Sequence, residues 1–288
     1  MMLRYFLGPG MIDLKKSNIS FELSVEGKPE SRVSAAYIDI GNGPAILFIH
    51  GFFSDATVWA SIINNLKDKY RCISLDLLGF GHSSQLDIEY KVDSQVAFSK
   101  KFMETLGIEN FFVVGHSLGG WTASRLELAA SQAVFGLVLL APAGVGEYLE
   151  PYRILIPFSW KTPIIDWLIS LVSPVMKLLG NEKLVQDIRF IRERFLYDPV
   201  FQAWIQRAFR LEISDELIYD DAKNIHSPTF IIFGEADETI PVEFGEHLEA
   251  NICDAKLHII PGADHELPSK YSQILSDLTS DFVSSVEV

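Results

Sequence analysis

The sequence is short of the residue types that several kinds of chemistry require. It has only two cysteines, Cys72 and Cys253, with no Cys-x-x-Cys pair and no Cys/His spacing suited to a metal. Two free thiols are therefore the expected state, and zinc sites and disulfide frameworks are set aside. Basic residues are scarce as well: 24 Lys and Arg stand against 38 Asp and Glu, a formal net charge of −14. Such a field repels phosphate backbones and anionic headgroups, so nucleic acid is not an expected partner. No apolar run approaches the ~20 residues that span a bilayer, so no integral membrane segment is expected. The first ten residues make a poor signal peptide, because their short apolar stretch is broken by Gly8 and Pro9 and no small-residue cleavage site follows. The cytoplasm is the expected compartment. Internal repeats and low-complexity tracts are missing too.

What the chain does have is apolar content. Hydrophobic residues make up 48% and charged residues 22%, too many hydrophobes per charge for a disordered chain. At 288 residues it can build one sizeable core, or a core interrupted by an insertion. Short β-rich runs alternate with segments of helical period. Residues 19–26 and 32–40 read as two antiparallel strands around the turn Gly27-Lys28-Pro29. Residues 45–49 are apolar on both faces, as a central strand covered by helices should be. Similar runs recur at 71–75, 111–115, 135–141, 228–233 and 255–260. Helices are expected near 56–69, 91–107, 118–131, 242–251 and 268–286. This alternation predicts an α/β fold with a mostly parallel, doubly wound, eight-stranded sheet. Ligands of such sheets bind outside the carboxyl ends of the strands, and the chemistry is sought there.

One stretch breaks the rhythm. Residues 145–217 offer no convincing strand and read as helices at 163–180, 182–196 and 199–212, punctuated by Pro151, Pro157, Pro163, Pro174 and Pro199. The simplest organisation is a core domain of residues 1–144 and 218–288 with a helical cap, 145–217, inserted above the strand ends. The insertion holds Tyr152, Phe158, Trp160, Trp167, Phe190, Phe195, Tyr197, Phe201, Trp204 and Phe209. Most of these are expected to form the cap's own core, and the remainder an apolar roof over a substrate.

The pentapeptide Gly115-His116-Ser117-Leu118-Gly119 stands between a buried strand and a helix, the setting of a nucleophile elbow. A serine on so sharp a turn adopts a strained backbone conformation, and its neighbours must be small; Gly115 and Gly119 meet that need. The competing reading is a glycine-rich turn with an incidental serine, which the strand-then-helix context disfavours. Acyl transfer also needs backbone N–H donors aimed at the developing oxyanion. One is expected from Leu118, at the positive end of the following helix. The second is assigned to Phe52, in the loop His50-Gly51-Phe52-Phe53 that follows residues 45–49. His50 itself reads as a buried histidine that braces this loop.

A serine hydroxyl is inert until a neighbouring base takes its proton. His265 lies in the loop Pro261-Gly262-Ala263-Asp264-His265-Glu266 after the last strand and emerges at the same sheet edge as Ser117. His82 falls in a glycine-rich turn, His116 reads as buried beside the elbow and His258 lies within a strand, while His226 and His247 read as surface residues. The third member must hold the imidazole in the right tautomer. Asp237 fits, in the exit loop of the strand 228–233, with Glu235, Glu238 and Asp264 as competitors. Asp264 adjoins His265, and its side chain should point away from that ring.

Five segments in order, His50-Gly51-Phe52, Asp76 to Ser83, Gly115 to Gly120, Gly234 to Asp237 and Gly262 to His265, resemble the α/β-hydrolase superfamily, in its lid-bearing esterase, lipase and meta-cleavage-product-hydrolase branch. The resemblance implies the α/β-hydrolase fold, a Ser117–His265–Asp237 triad, no cofactor and no metal. It gives Asp76 and the Gly79–Ser83 turn a structural part. Relatives with an aspartate nucleophile, the haloalkane dehalogenases and epoxide hydrolases, are excluded by Ser117. Carbon–carbon-bond hydrolases usually carry a glycine-rich stretch after His-Gly, where this chain reads Phe52-Phe53-Ser54-Asp55. The expected activity is hydrolysis of a small hydrophobic ester, acyl or aryl, with Phe53, His116, Trp160 and Trp204 as substrate contacts. The alternatives are a carbon–carbon-bond hydrolase or perhydrolase using the same triad, and a binding protein that keeps the hydrolase fold. The sequence is silent on oligomeric state.

Overall fold

Eight strands form one sheet in the computed structural model, which describes residues 14–146, 160–210 and 214–286. In chain order the elements are β1 (Ser17–Leu23), β2 (Ser31–Ile40), β3 (Ala45–Ile49), α1 (Ala60–Leu66), β4 (Arg71–Leu75), α2 (Val92–Thr105), β5 (Phe111–His116), α3 (Leu118–Ala130), β6 (Val134–Leu140), α4 (Pro163–Leu178), α5 (Glu182–Tyr197), α6 (Pro199–Arg210), β7 (Thr229–Gly234), α7 (Glu243–Asn251), β8 (Ala255–Ile260), α8 (Leu267–Lys270) and α9 (Ser272–Ser285). The strand order is β1-β2-β4-β3-β5-β6-β7-β8. Six strands from β4 to β8 pair in parallel, and β2 runs antiparallel to both of its neighbours.

The parallel part follows from the apolar runs. Ile46, Leu47, Phe48 and Ile49 of β3 are all fully buried, so both faces of this strand are covered. From β3 the chain steps outward to β4, and from β5 it steps the opposite way to β6. Right-handed crossovers in opposite directions put their helices on opposite faces. Consistent with this, α1 packs with α9 and α2 with α3. The reversal between β3 and β5 sets their carboxyl ends, His50-Gly51 and His116-Ser117, side by side at the switch point, where ligands of such sheets bind.

Two expected helices are interrupted. The first begins as a 3-10 turn, Ala56–Trp59, because the Asp55 carboxylate accepts the Thr57 N–H and tightens the entry. The last is split at Tyr271, whose φ of −120° and ψ of 31° lie outside the helical range.

The chain divides into a core unit, Met1–Leu86, Lys91–Glu147 and Glu216–Val288, and a helical unit, Asp87–Tyr90 and Tyr148–Asp215. Within the helical unit α4 packs on α5 and α5 on α6. Buried Arg192 of α5 fixes the start of α4 by pairing with Asp166 and donating to the carbonyls of Trp160 and Thr162. Arg207 of α6 donates to the Tyr90 carbonyl, which ties the short 87–90 segment to this unit. The insertion's described aromatic residues divide between interior and surface. Phe201 and Trp204 are buried, but Trp160, Trp167, Phe190 and Tyr197 are exposed. Along α4, Ile165, Ile169 and Met176 are half-buried and Ser173 is buried, whereas the wider apolar arc of Ile164, Trp167, Leu168, Leu171 and Val175 is exposed. Tyr152 and Phe158 lie outside the described residues.

Candidate active site

Ser117 joins β5 directly to α3 with φ 53° and ψ −116°, a left-handed conformation that side chains rarely adopt. The turn is held at its backbone. Ser117 N–H donates to the Leu140 carbonyl at the end of β6, and its own carbonyl accepts from Trp121 and Ala143. The flanking glycines are required by close approach: a Cβ at Gly115 would stand 2.3 Å from the Gly119 oxygen, and one at Gly119 would stand 2.1 Å from the Ile49 oxygen. No side chain fits either gap. Leu118 opens α3, so its N–H has no acceptor one turn earlier in the helix.

The loop after β3 lies against this elbow. A Cβ at Gly51 would meet Ser117 Cβ at 3.3 Å and His116 Nδ1 at 3.1 Å. His50 is fully buried; its Nδ1–H donates to the Gly51 carbonyl at 2.7 Å, and its Nε2 accepts the Leu77 N–H at 3.1 Å. Those two partners fix a neutral ring, and burial keeps the pKa of His50 below its ordinary value. In a trans peptide the carbonyl and N–H point in opposite directions, so a Gly51 carbonyl turned to His50 sends the Phe52 N–H to the other side. His50 therefore braces the loop, as expected from the sequence. Buried Asp76 is structural as expected, accepting from the amides of Ala56 and His82 and pairing with Lys16 at 2.7 Å. Lys16 carried no motif that would have marked it.

The His265 loop and the Asp237 loop meet side by side. His265 Nδ1–H donates to Asp237 Oδ2 at 2.7 Å, and the Asp237 carboxylate is completely buried. Its other oxygen accepts the N–H groups of Thr239 at 2.8 Å and Ile240 at 2.9 Å, which leaves the carboxylate a single orientation. The competing acids are engaged elsewhere: Asp264 pairs with Lys270, and Glu235 accepts the Gly262 amide at 2.9 Å. Glu238 is exposed. The Ser117 hydroxyl and His265 Nε2 make no hydrogen bond among the described residues. Catalytic bonds of this kind are often long at rest and tighten around a substrate. What joins elbow and loop here is His116, whose Nε2–H donates to the His265 carbonyl at 2.9 Å while the two rings lie 4.8 Å apart. Burial, and then the neighbouring His265, lower the His116 pKa to about 3.

Residues 46–273, which include Ser117, Asp237 and His265, match the alpha/beta hydrolase family. The chain belongs to that family. It is 28% identical over 262 residues to 2-hydroxy-6-oxo-6-(2'-aminophenyl)hexa-2,4-dienoic acid hydrolase of Metapseudomonas resinovorans, covering 88% of each chain. Its identity to monoacylglycerol lipase abhd6-B of Xenopus laevis is 23% over 288 residues, 94% of this chain and 81% of that one. A thermophilic esterase from Thermogutta terrifontis has the same fold, with a TM-score of 0.71, 20% identity, and 94% and 100% coverage.

The remaining expected contacts of this hydrolase are distributed between its two units. In the core unit Phe53 is exposed, its ring 5.2 Å from that of half-buried Phe52. In the helical unit Trp160 is exposed and Trp204 is buried with its ring under the Arg207 guanidinium. Among the described residues no three His, Cys, Asp or Glu side chains cluster as metal ligands. Among them, too, no helix is long and apolar enough to cross a membrane. Sequence reasoning missed the amides of Thr239 and Ile240 that lock Asp237. It also missed the bond from His116 to the His265 carbonyl, which had no signal beyond the position of His116 in the elbow.

Proposed function

We propose that this hydrolase cleaves a carboxylic ester through an acyl-enzyme on Ser117. The observation that carries the reading is the 2.7 Å bond between His265 and a buried, doubly held Asp237, in a loop tethered to the strained serine elbow. His265 Nε2 takes the hydroxyl proton as Ser117 Oγ bonds to the ester carbonyl carbon. The amides of Phe52 and Leu118 receive the oxyanion. As the tetrahedral intermediate collapses, the bond to the alkoxy group breaks and His265 hands its proton to the leaving alcohol. Water, deprotonated by His265 in turn, then releases the acid and restores the serine. Asp237 holds the imidazole tautomer and stabilises its protonated form.

Residues 145–217 serve in this reading as a cap that supplies the apolar side of recognition, with Trp160 and Trp204 among its contacts and Phe53 contributed by the core unit. The apolar arc of α4, larger than its packing consumes, supports a hydrophobic acyl or aryl ester. A second reading, cleavage of a carbon–carbon bond by the same triad, is favoured by the similarity to the dienoic acid hydrolase. The aromatic pair Phe52-Phe53, where such enzymes usually carry glycines, weighs toward esters.

The test is a panel of p-nitrophenyl esters of graded chain length beside a vinylogous diketo acid, with Ser117→Ala as control and a fluorophosphonate as covalent label. Turnover of the longer esters is expected, with turnover and labelling both abolished in Ser117→Ala. Unchanged turnover in that variant would refute the assignment. Labelling without turnover of any substrate class would make the chain a binding protein.

A further inference from the structure

His116 does more than occupy the variable position of the elbow. Its carbonyl partner can only accept, so Nε2 carries the ring proton and donates it to His265. The same His265 carbonyl also accepts the Leu267 N–H at 2.9 Å, where α8 begins. The base is therefore pinned by three bonds at two atoms: its carbonyl by His116 and by Leu267, and its Nδ1 by Asp237. Nε2 is the one polar atom of its side chain left for chemistry. Of the three anchors only His116 comes from the elbow. It precedes Ser117 by one residue, and its own backbone is held in register with Leu140 of β6. On its other side Nδ1 faces Gly51 of the oxyanion loop. Resting on the proposed triad, we propose that His116 is a positioning residue: it sets the distance and angle at which His265 meets Ser117, and it is not a substrate contact.

Two features support a neutral tether in place of a charged group. The transition state places a positive charge on the His265 ring 4.8 Å away, and a cation at His116 would oppose it. The groups facing His116 are His265 and Asp237 from the strand-exit loops and His50 from the oxyanion loop. Burial dominates among their effects, so the ring stays neutral through the range in which His265 works. A substrate contact through Nε2 would have to break the tether. That bond spans 149 residues of sequence and fixes two catalytic loops together.

The experiment compares His116→Phe, His116→Gln and His116→Asn in the full chain. Phe keeps a ring but has no donor. Gln places an amide N–H near the Nε2 position, and Asn places one near Nδ1. A misplacement of about 1 Å at a reacting group costs about 100-fold. Accordingly, kcat is expected to fall about 10- to 100-fold in Phe and Asn, with KM within about 3-fold, and Gln should recover most of the loss. Equal losses in all three would mean packing alone and overturn the proposal. So would a raised KM at unchanged kcat, which marks a substrate contact, or wild-type kinetics throughout. If the Phe variant does not fold, the contrast between Gln and Asn decides. Ser117→Ala separates the two levels of the argument: its full activity would sink the triad itself, whereas an inactive Ser117→Ala beside wild-type kinetics in His116→Phe would sink the tether alone.

Discussion

Phe48, Phe112 and Phe233 of the sheet are wholly enclosed, whereas Trp167 and Leu171 of α4 leave 64% and 59% of their surface in solvent. Both sets of side chains are large and apolar, so hydrophobicity alone does not explain the difference. A parallel strand is covered by helices on both faces, and every apolar residue on it finds a neighbour. Helix α4 packs chiefly on α5, and one contact face cannot enclose an apolar arc that wide. Charge divides in the same way. The helical unit has nine Lys or Arg against ten Asp or Glu, so almost all of the net −14 belongs to the core unit. The region that holds the proposed reacting groups is therefore densely packed and acidic. The region proposed to recognise the substrate is nearly neutral and has apolar surface to spare.

The sharpest way to break that comparison is to remove one aromatic ring from the core. Phe48 has no exposed surface and packs against Trp59 with ring centroids 5.3 Å apart. Phe48→Ala leaves a cavity one residue from the strand end that leads into the loop proposed to receive the oxyanion. Its expected cost is about 3–5 kcal/mol of unfolding free energy, measured by urea titration of the core transition. A loss below about 1 kcal/mol would mean that the sheet is far less tightly packed than its burial implies.

Much of this architecture is legible in the sequence, for a physical reason. Residues 45–49, 71–75 and 255–260 were expected as strands, and the structure has them with the same bounds. The first two are short, almost wholly buried apolar runs that only a covered strand accommodates, and the third lies between clear turn signals. The triad candidates were legible because each lies just past a strand, in the chain order that brings strand ends to one edge. The bond from His116 to His265 was not, since it depends on how two loops approach across 149 residues. Periodicity identified α4 as a helix with apolar faces but could not say which face would find a neighbour. The same limit hid the amides of Thr239 and Ile240, because backbone donors have no residue-type signature.

A smaller effect separates the units by acid. All seven histidines belong to the core unit and none to the helical unit. His50 and His116 both have lowered pKa values, His116 down to about 3 against an ordinary value of 6.5. Below pH 6.5 the unfolded chain takes up protons on these rings that the folded chain refuses. The unfolded state then binds more protons, so stability falls as the pH drops from 6.5 toward 3. Each such ring contributes a slope of about 1.4 kcal/mol per pH unit at most. Between pH 6 and 4.5, urea unfolding of His116→Phe should show a shallower dependence than the wild type by about that amount. Parallel slopes would mean that the His116 ring is already accessible to protons in the folded state.

The smallest stability effect is expected where a large apolar side chain lies mostly in solvent. Trp167→Ala removes a ring that has few neighbours to lose, so unfolding free energy should stay within about 0.5 kcal/mol of the wild type. Its proposed part is recognition, and recognition is where the change should register. With p-nitrophenyl esters, KM for long acyl chains should rise several-fold while KM for the acetate and kcat for both remain near the wild-type values, the pattern of lost uniform binding. The paired outcome is what matters. A large stability loss would show that Trp167 is enclosed by packing after all, and the contrast with Phe48 would disappear. An unchanged chain-length profile at unchanged stability would leave α4 without a part in binding the substrate and would move the search for the apolar acyl site back to Phe53 and the core unit.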